Sequence, residues 1–150
     1  MMNLQELQTI AHHDLPIKIV VFNNDGYLMI KHTQKSLFKG RYAGTDERSG
    51  VSCPDFSALA AAFGFQAFTI RSTADAETVI PALHAYAGPA ICEVFTHPEQ
   101  LFAPKLSVAI QPDGSLVSPP LEDLSPLLPR DELEEMMTVG LHDKSRLLEV

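Results

Sequence analysis

The run Ile17-Lys18-Ile19-Val20-Val21-Phe22, followed at once by Asn23-Asn24-Asp25-Gly26-Tyr27, constrains this chain more than any other stretch. The first part is short, apolar and rich in β-branched residues, the pattern of a buried strand in a parallel sheet. It closes on two amides, an acid and a glycine, which places small oxygen-bearing side chains and a free carbonyl at a strand's C-terminal end. Open α/β sheets bind ligands at that end. Amide and carbonyl oxygens are hard donors, suited to Mg2+ rather than to zinc or copper.

The rest of the chain bounds the setting. A length of 150 residues suffices for one domain with a sizeable core. The net charge of −8 argues against nucleic acid or an anionic membrane surface as the main partner. No stretch has the roughly 18 apolar residues of a membrane helix, and the N-terminus carries no basic-then-apolar leader. Cys53 and Cys92 fall in no metal-ligand spacing and read as free thiols of a reducing compartment. The expected location is the cytoplasm.

Along the chain, Leu4, Leu7, Ile10 and Ala11 fall on one face of a helix over residues 3–13, which Pro16 stops. After the strand, residues 27–36 can form a helix, and residues 38–54, with three glycines, read as a long exposed loop. Asp55 is placed to cap an alanine-rich helix that Gly64 ends. A strand over 65–70, a helix from about 72–75 to 87 and a strand over 90–95 follow. Pro81 should start or kink the last of these helices. The expected fold class is α/β, mostly parallel sheet flanked by helices. From His97 on, seven prolines including Pro112 punctuate the sequence, with a strand-like run at 106–110 and an amphipathic helix at 129–137. The expected organisation is a domain over 1–100 and an irregular Pro-rich C-terminal arm over 101–150.

The segments Met2-Asn3-Leu4-Gln5-Glu6-Leu7-Gln8-Thr9-Ile10, Leu15-Pro16-Ile17-Lys18 and Phe22-Asn23-Asn24-Asp25-Gly26-Tyr27-Leu28-Met29-Ile30 closely resemble the cofactor-binding domain of acetolactate synthase-type thiamine diphosphate enzymes. The resemblance runs on through Gln34, Gly40-Arg41, Pro54-Asp55-Phe56, Ala61-Ala62-Phe63-Gly64 and Ile91-Cys92-Glu93-Val94, roughly the first two thirds of the chain. It implies a partial thiamine diphosphate-binding fold, with thiamine diphosphate and Mg2+ as cofactors and a 2-oxo acid as substrate. Carried over position by position, it makes Asn24 and the Gly26 carbonyl metal ligands and sets Tyr27, Leu28 and Met29 near the cofactor. It also implies a homo-oligomer, because active sites in the family form between subunits.

Departures from the family pattern are equally plain. The aspartate of the family's Gly-Asp-Gly element and its activating glutamate match nothing here, and Asp14 and Glu6 lie on the wrong element. The expectation is therefore a fragment that supplies the second half of a diphosphate–metal site and pairs with a chain carrying the upstream half, inactive alone. The alternative is a non-catalytic interaction domain that keeps only the fold. Adjacent His12 and His13 point in different directions on a helix and read as surface residues. His32 and Gln34 could face substrate or be structural, and Asp131, Glu132, Glu134 and Glu135 read as a solvated helix face.

Overall fold

The computed structural model describes residues 3–110 and 113–146; Met2 and Pro112, used above, lie outside them. The chain divides into two compact units, Met1–Gln100 and Leu101–Val150.

The first unit is built in the order α1 (Glu6–His12), β1 (Lys18–Asn23), α2 (Leu28–Leu37), a 3-10 turn (Glu47–Ser49), α3 (Phe56–Ala62), β2 (Gln66–Ile70), α4 (Thr73–Ala85) and β3 (Ala90–Phe95). The strands form a parallel sheet in the order β1-β3-β2, with β3 in the centre. Alternation along each strand sends side chains to two faces. On one face Ile19, Val21, Ala67 and Ile91 meet Leu7 of α1, Ala60 of α3 and Phe65. On the other, Phe68, Ile70, Ala90, Cys92 and Val94 meet Ala76, Val79 and Leu83 of α4. Helices thus cover both faces, as the α/β reading requires.

Local chemistry accounts for most boundaries. The Asp55 carboxylate accepts the Ala58 N–H and starts α3; Gly64, at φ +76°, turns the chain out of it. Ser72 caps α4 through the Asp75 N–H. Because that cap fixes the start eight residues before Pro81, α4 runs on through the proline. Packing of Ala76, Val79 and Leu83 on the sheet outweighs the hydrogen bond that proline removes.

Two expectations are corrected. Strand β1 is half-buried, and on one face only: Val20 and Phe22 are 46% and 69% exposed, and Ile17 just before it 41%. Val20 and Phe22 share register with Cys92 and Val94, so they project on the α4 side. That helix lies over β2, however, and β1 stands at the opposite edge of the sheet. The 38–54 segment is not simply an exposed loop either, because Thr45 is 1% exposed. Its N–H donates to Ser49 Oγ, and the Asp46–Ser49 capping box folds the chain tightly around it.

In the second unit the strand-like run at 106–110 shortens to β4 (Ala109–Ile110), paired with β5 (Leu116–Val117). Leu106 and Val108 stay 42% and 46% exposed. Helices α5 (Arg130–Met136) and α6 (Asp143–Arg146) follow. The organising contact is a forked ion pair. Arg130 Nη1 and Nη2 donate to the two oxygens of buried Asp123 at 2.6 and 3.0 Å. The same guanidinium donates to the carbonyls of Leu128 and Ser145. Aspartate and arginine thereby tie both helices to the turn before them.

Candidate functional site

The site forms where β1 ends. Asn23 is consumed by structure. Its Nδ2 donates to Glu93 Oε1 at 2.6 Å, its Oδ1 accepts the Asp25 N–H, and its carbonyl accepts the Thr96 N–H. These bonds tie the last residue of the edge strand to the central strand and to the residue beyond it. Asp25, at φ +58°, then turns the chain back. This geometry is a turn closed by an asparagine side chain, and it holds the next residues at fixed positions.

Asn24 is different. It is half-buried, and its side-chain amide has no hydrogen-bond partner among the described residues. Gly26 sits at φ +154°, and a Cβ added there would stand 2.1 Å from the Thr45 carbonyl oxygen. Glycine is required by that close backbone approach as well as by φ. The same Thr45 oxygen accepts the Tyr27 N–H at 2.8 Å, and Tyr27 caps α2. Buried Thr45 is therefore the post against which the Asn24–Tyr27 turn rests.

Of the other sequence-derived candidates, Tyr27 and Met29 are 56% and 61% exposed beside this turn, whereas Leu28 is buried. Leu28 could meet a ligand only through its backbone. Gln34 is structural: its amide donates to the Ala43 carbonyl and accepts the Ala43 N–H.

Sequence reasoning missed three neighbours. Glu93, 6% exposed, lies under the strand end as Asn23's partner. Cys53 lies against the Gly26 backbone; burial pushes its thiol pKa up, the charges of Asp25 and Glu93 add to this, and the Gly26 amide opposes it. Asp46, held below the usual carboxylate range by the Ser49 hydroxyl and by Lys31, fixes the far side through its 3.2 Å ion pair with Lys31. Each sits far from 23–27 in sequence or lacks a motif, so pattern alone could not reach them.

Two neutral oxygens, the Asn24 amide and the Gly26 carbonyl, suit a hard cation but offset none of its charge. Among the described residues, no group of three or more His, Cys, Asp or Glu could hold a metal ion. The donor set therefore fits part of a Mg2+ shell.

Residues 1–94 match the family described as "Thiamine pyrophosphate enzyme, C-terminal TPP binding domain". The chain belongs to that family. Thiamine pyrophosphate is the same compound as thiamine diphosphate. Among its relatives is the acetolactate synthase large subunit of Pyropia yezoensis, 38% identical over 95 residues, or 62% of this chain and 16% of that protein. The isozyme 2 large subunit of Escherichia coli K12 is 34% identical over 94 residues, covering 63% of this chain and 17% of that protein. Among solved structures, the Rhodococcus jostii RHA1 thiamine diphosphate-dependent 4-hydroxybenzoylformate decarboxylase superposes with a TM-score of 0.56 at 26% identity. That match covers 65% of this thiamine pyrophosphate-family chain and 18% of the decarboxylase. The chain thus spans about a sixth of the length of these proteins. Its α/β fold of mostly parallel sheet flanked by helices is shared with the matched part of the decarboxylase.

Proposed function

We propose that the Asn24–Gly26 turn is the second half of a thiamine diphosphate–Mg2+ clamp in an enzyme that acts on 2-oxo acids. The observation that carries this reading is the free, half-buried Asn24 amide. It stands beside a Gly26 backbone locked against Thr45, at the carboxyl end of a parallel strand. Asn24 Oδ1 and the Gly26 carbonyl would hold the metal and so orient the diphosphate, with Tyr27, Met29 and the backbone of Leu28 flanking it. When bound, thiamine diphosphate supplies the carbanion chemistry, and the protein supplies orientation and electrostatics. The substrate class follows the relatives' names, since 4-hydroxybenzoylformate carries its carbonyl next to its carboxylate. Unpaired Cys53 and Cys92 suit a reducing compartment such as the cytoplasm.

The clamp's missing carboxylate would come from a strand laid along the free edge of β1. Such a strand would belong to an upstream half, whether in the same polypeptide or in another chain, of an enzyme proposed to be a homo-oligomer. Calorimetry of thiamine diphosphate with Mg2+ tests this on the chain alone and on the chain mixed with an upstream half bearing Gly-Asp-Gly. Tight binding in the mixture, weakened about ten-fold or more by Asn24→Ala, is expected for a lost metal ligand. No heat in either sample, or an unaffected N24A variant, would refute it. The exposed apolar edge also favours a second reading, a non-catalytic interaction domain. That reading predicts co-purification with the upstream half without any dependence on cofactor.

A further inference from the structure

The carboxyl ends of β2 and β3 frame a second crevice, of about 410 Å³, one strand across the sheet from the Asn24 turn. Its floor is apolar: Ile70, Ala76 and Val94. Its rim carries Arg71, Thr73 and His97. A mostly apolar concavity with a few converging polar groups is the usual anatomy of a small-molecule site.

Arg71 is the group that gives the crevice its chemistry. Its Cζ lies 3.8 Å from the centroid of the Phe95 ring. A guanidinium seated on a ring face keeps its N–H fork in its own plane for another partner. Among the described residues that fork makes no ion pair or hydrogen bond. Asp75 accepts the Arg71 backbone N–H at 2.9 Å and feels the charge of the Arg71 side chain, but makes no direct ion pair with it. His97 adds a second donor. Its Nδ1 accepts the Glu99 N–H at 3.1 Å, which assigns the ring proton to Nε2. The start of α4 plays no part in the argument, since Ser72 and Asp75 already cap it.

We infer that this crevice binds an oxyanion on an apolar body, a small organic phosphate or carboxylate whose charged end meets Arg71 and His97 and whose body lies on Ile70 and Val94. The site is distinct from the cofactor clamp and stands without it. It calls for no chemistry on the ligand.

The test is a two-dimensional amide NMR titration of the full 150-residue chain at constant ionic strength, with phenyl phosphate, benzoate and inorganic phosphate as separate probes. Saturable shifts confined to residues 71–76 and 95–100 are expected, with phenyl phosphate or benzoate binding more tightly than inorganic phosphate. Whichever organic probe binds more tightly identifies the oxyanion. Arg71→Gln should weaken binding about ten-fold, as loss of one charge-assisted contact does, while Arg71→Lys, which keeps the charge but loses the planar fork, should weaken it less. Arg71 is exposed, so unchanged spectra away from the crevice report intact folding in both variants. Three results would overturn the inference: no saturable shift with any probe, equal affinity in R71Q, or shifts spread over Lys31, Lys35, Lys39 and Arg41.

Discussion

Replacing Gly26 with alanine is the sharpest probe of how the candidate site is held. The new Cβ would meet the Thr45 carbonyl oxygen at 2.1 Å and its carbon at 3.1 Å, both backbone atoms. Ordinary contact needs the two segments to part by roughly 1 Å. Thr45 is poorly placed to yield, because it is 1% exposed and pinned by the Ser49 hydroxyl at 2.9 Å. Yielding would also stretch the 2.8 Å bond from Tyr27 N–H to Thr45 O that starts α2. Backbone strain costs about 1–3 kcal/mol, overpacking a similar ~1–3 and the lost hydrogen bond about 0.5–1.5. These overlap, so G26A should destabilise the first unit by about 3–5 kcal/mol, a large part of a typical domain's stability. Thermal unfolding followed by circular dichroism measures it, with an expected fall in Tm of about 12 °C or more. Gly50→Ala is the control, because Gly50 also has positive φ, +103°, yet has no atom within 4 Å of an added Cβ. It should cost only about 1 kcal/mol, from backbone conformation alone. If G26A cost no more than G50A, the idea that Thr45 braces the turn would be wrong.

Two further perturbations test neighbouring claims. Asp46 has a folded-state pKa lowered from 3.8, first by the Ser49 hydroxyl and then by Lys31. Its contribution is therefore full above 3.8 and lost as pH falls through the lowered value; Asp46→Asn should flatten that acid limb of the urea midpoint, and an unchanged limb would count against it. In the second unit, Arg130→Gln leaves Asp123 buried at 1% exposure without its counter-charge. A loss of about 3 kcal/mol in that unit is expected, read as faster amide exchange in α5; wild-type protection would refute it.

The sequence made legible whatever depends on near neighbours along the chain. The Leu4–Leu7–Ile10 spacing, the Asp55 cap, the Gly64 exit and the β-branched strands each carry their cause within a few residues, and they stand where expected. Asn24 and Gly26 are candidates on the strength of the resemblance alone. The misses share a physical origin. Exposure of Val20 and Phe22 depends on which strands flank β1, and sheet order is not written in any one strand. Burial of Thr45 depends on a capping box that an Asp-x-x-Ser spacing only hints at. Glu93 and Cys53 reach the turn through pairing between residues many positions apart.

The pairing of β1 with β3 also sets an order of assembly. Lys18 matches Ala90 and Asn23 matches Phe95, so β1 has its only described sheet partner some seventy residues later. Local pieces, α3 with β2 and α4 with β2 and β3, can condense first, since their loops are short. On a ribosome, β1 waits with its apolar side chains bare until the last strand of the sheet has emerged. The turn bearing Asn24 is thus synthesised well before its partners and is among the last parts of this sheet to take its native shape. Its bonds to Glu93 and Thr96 are the closing stitches of the domain.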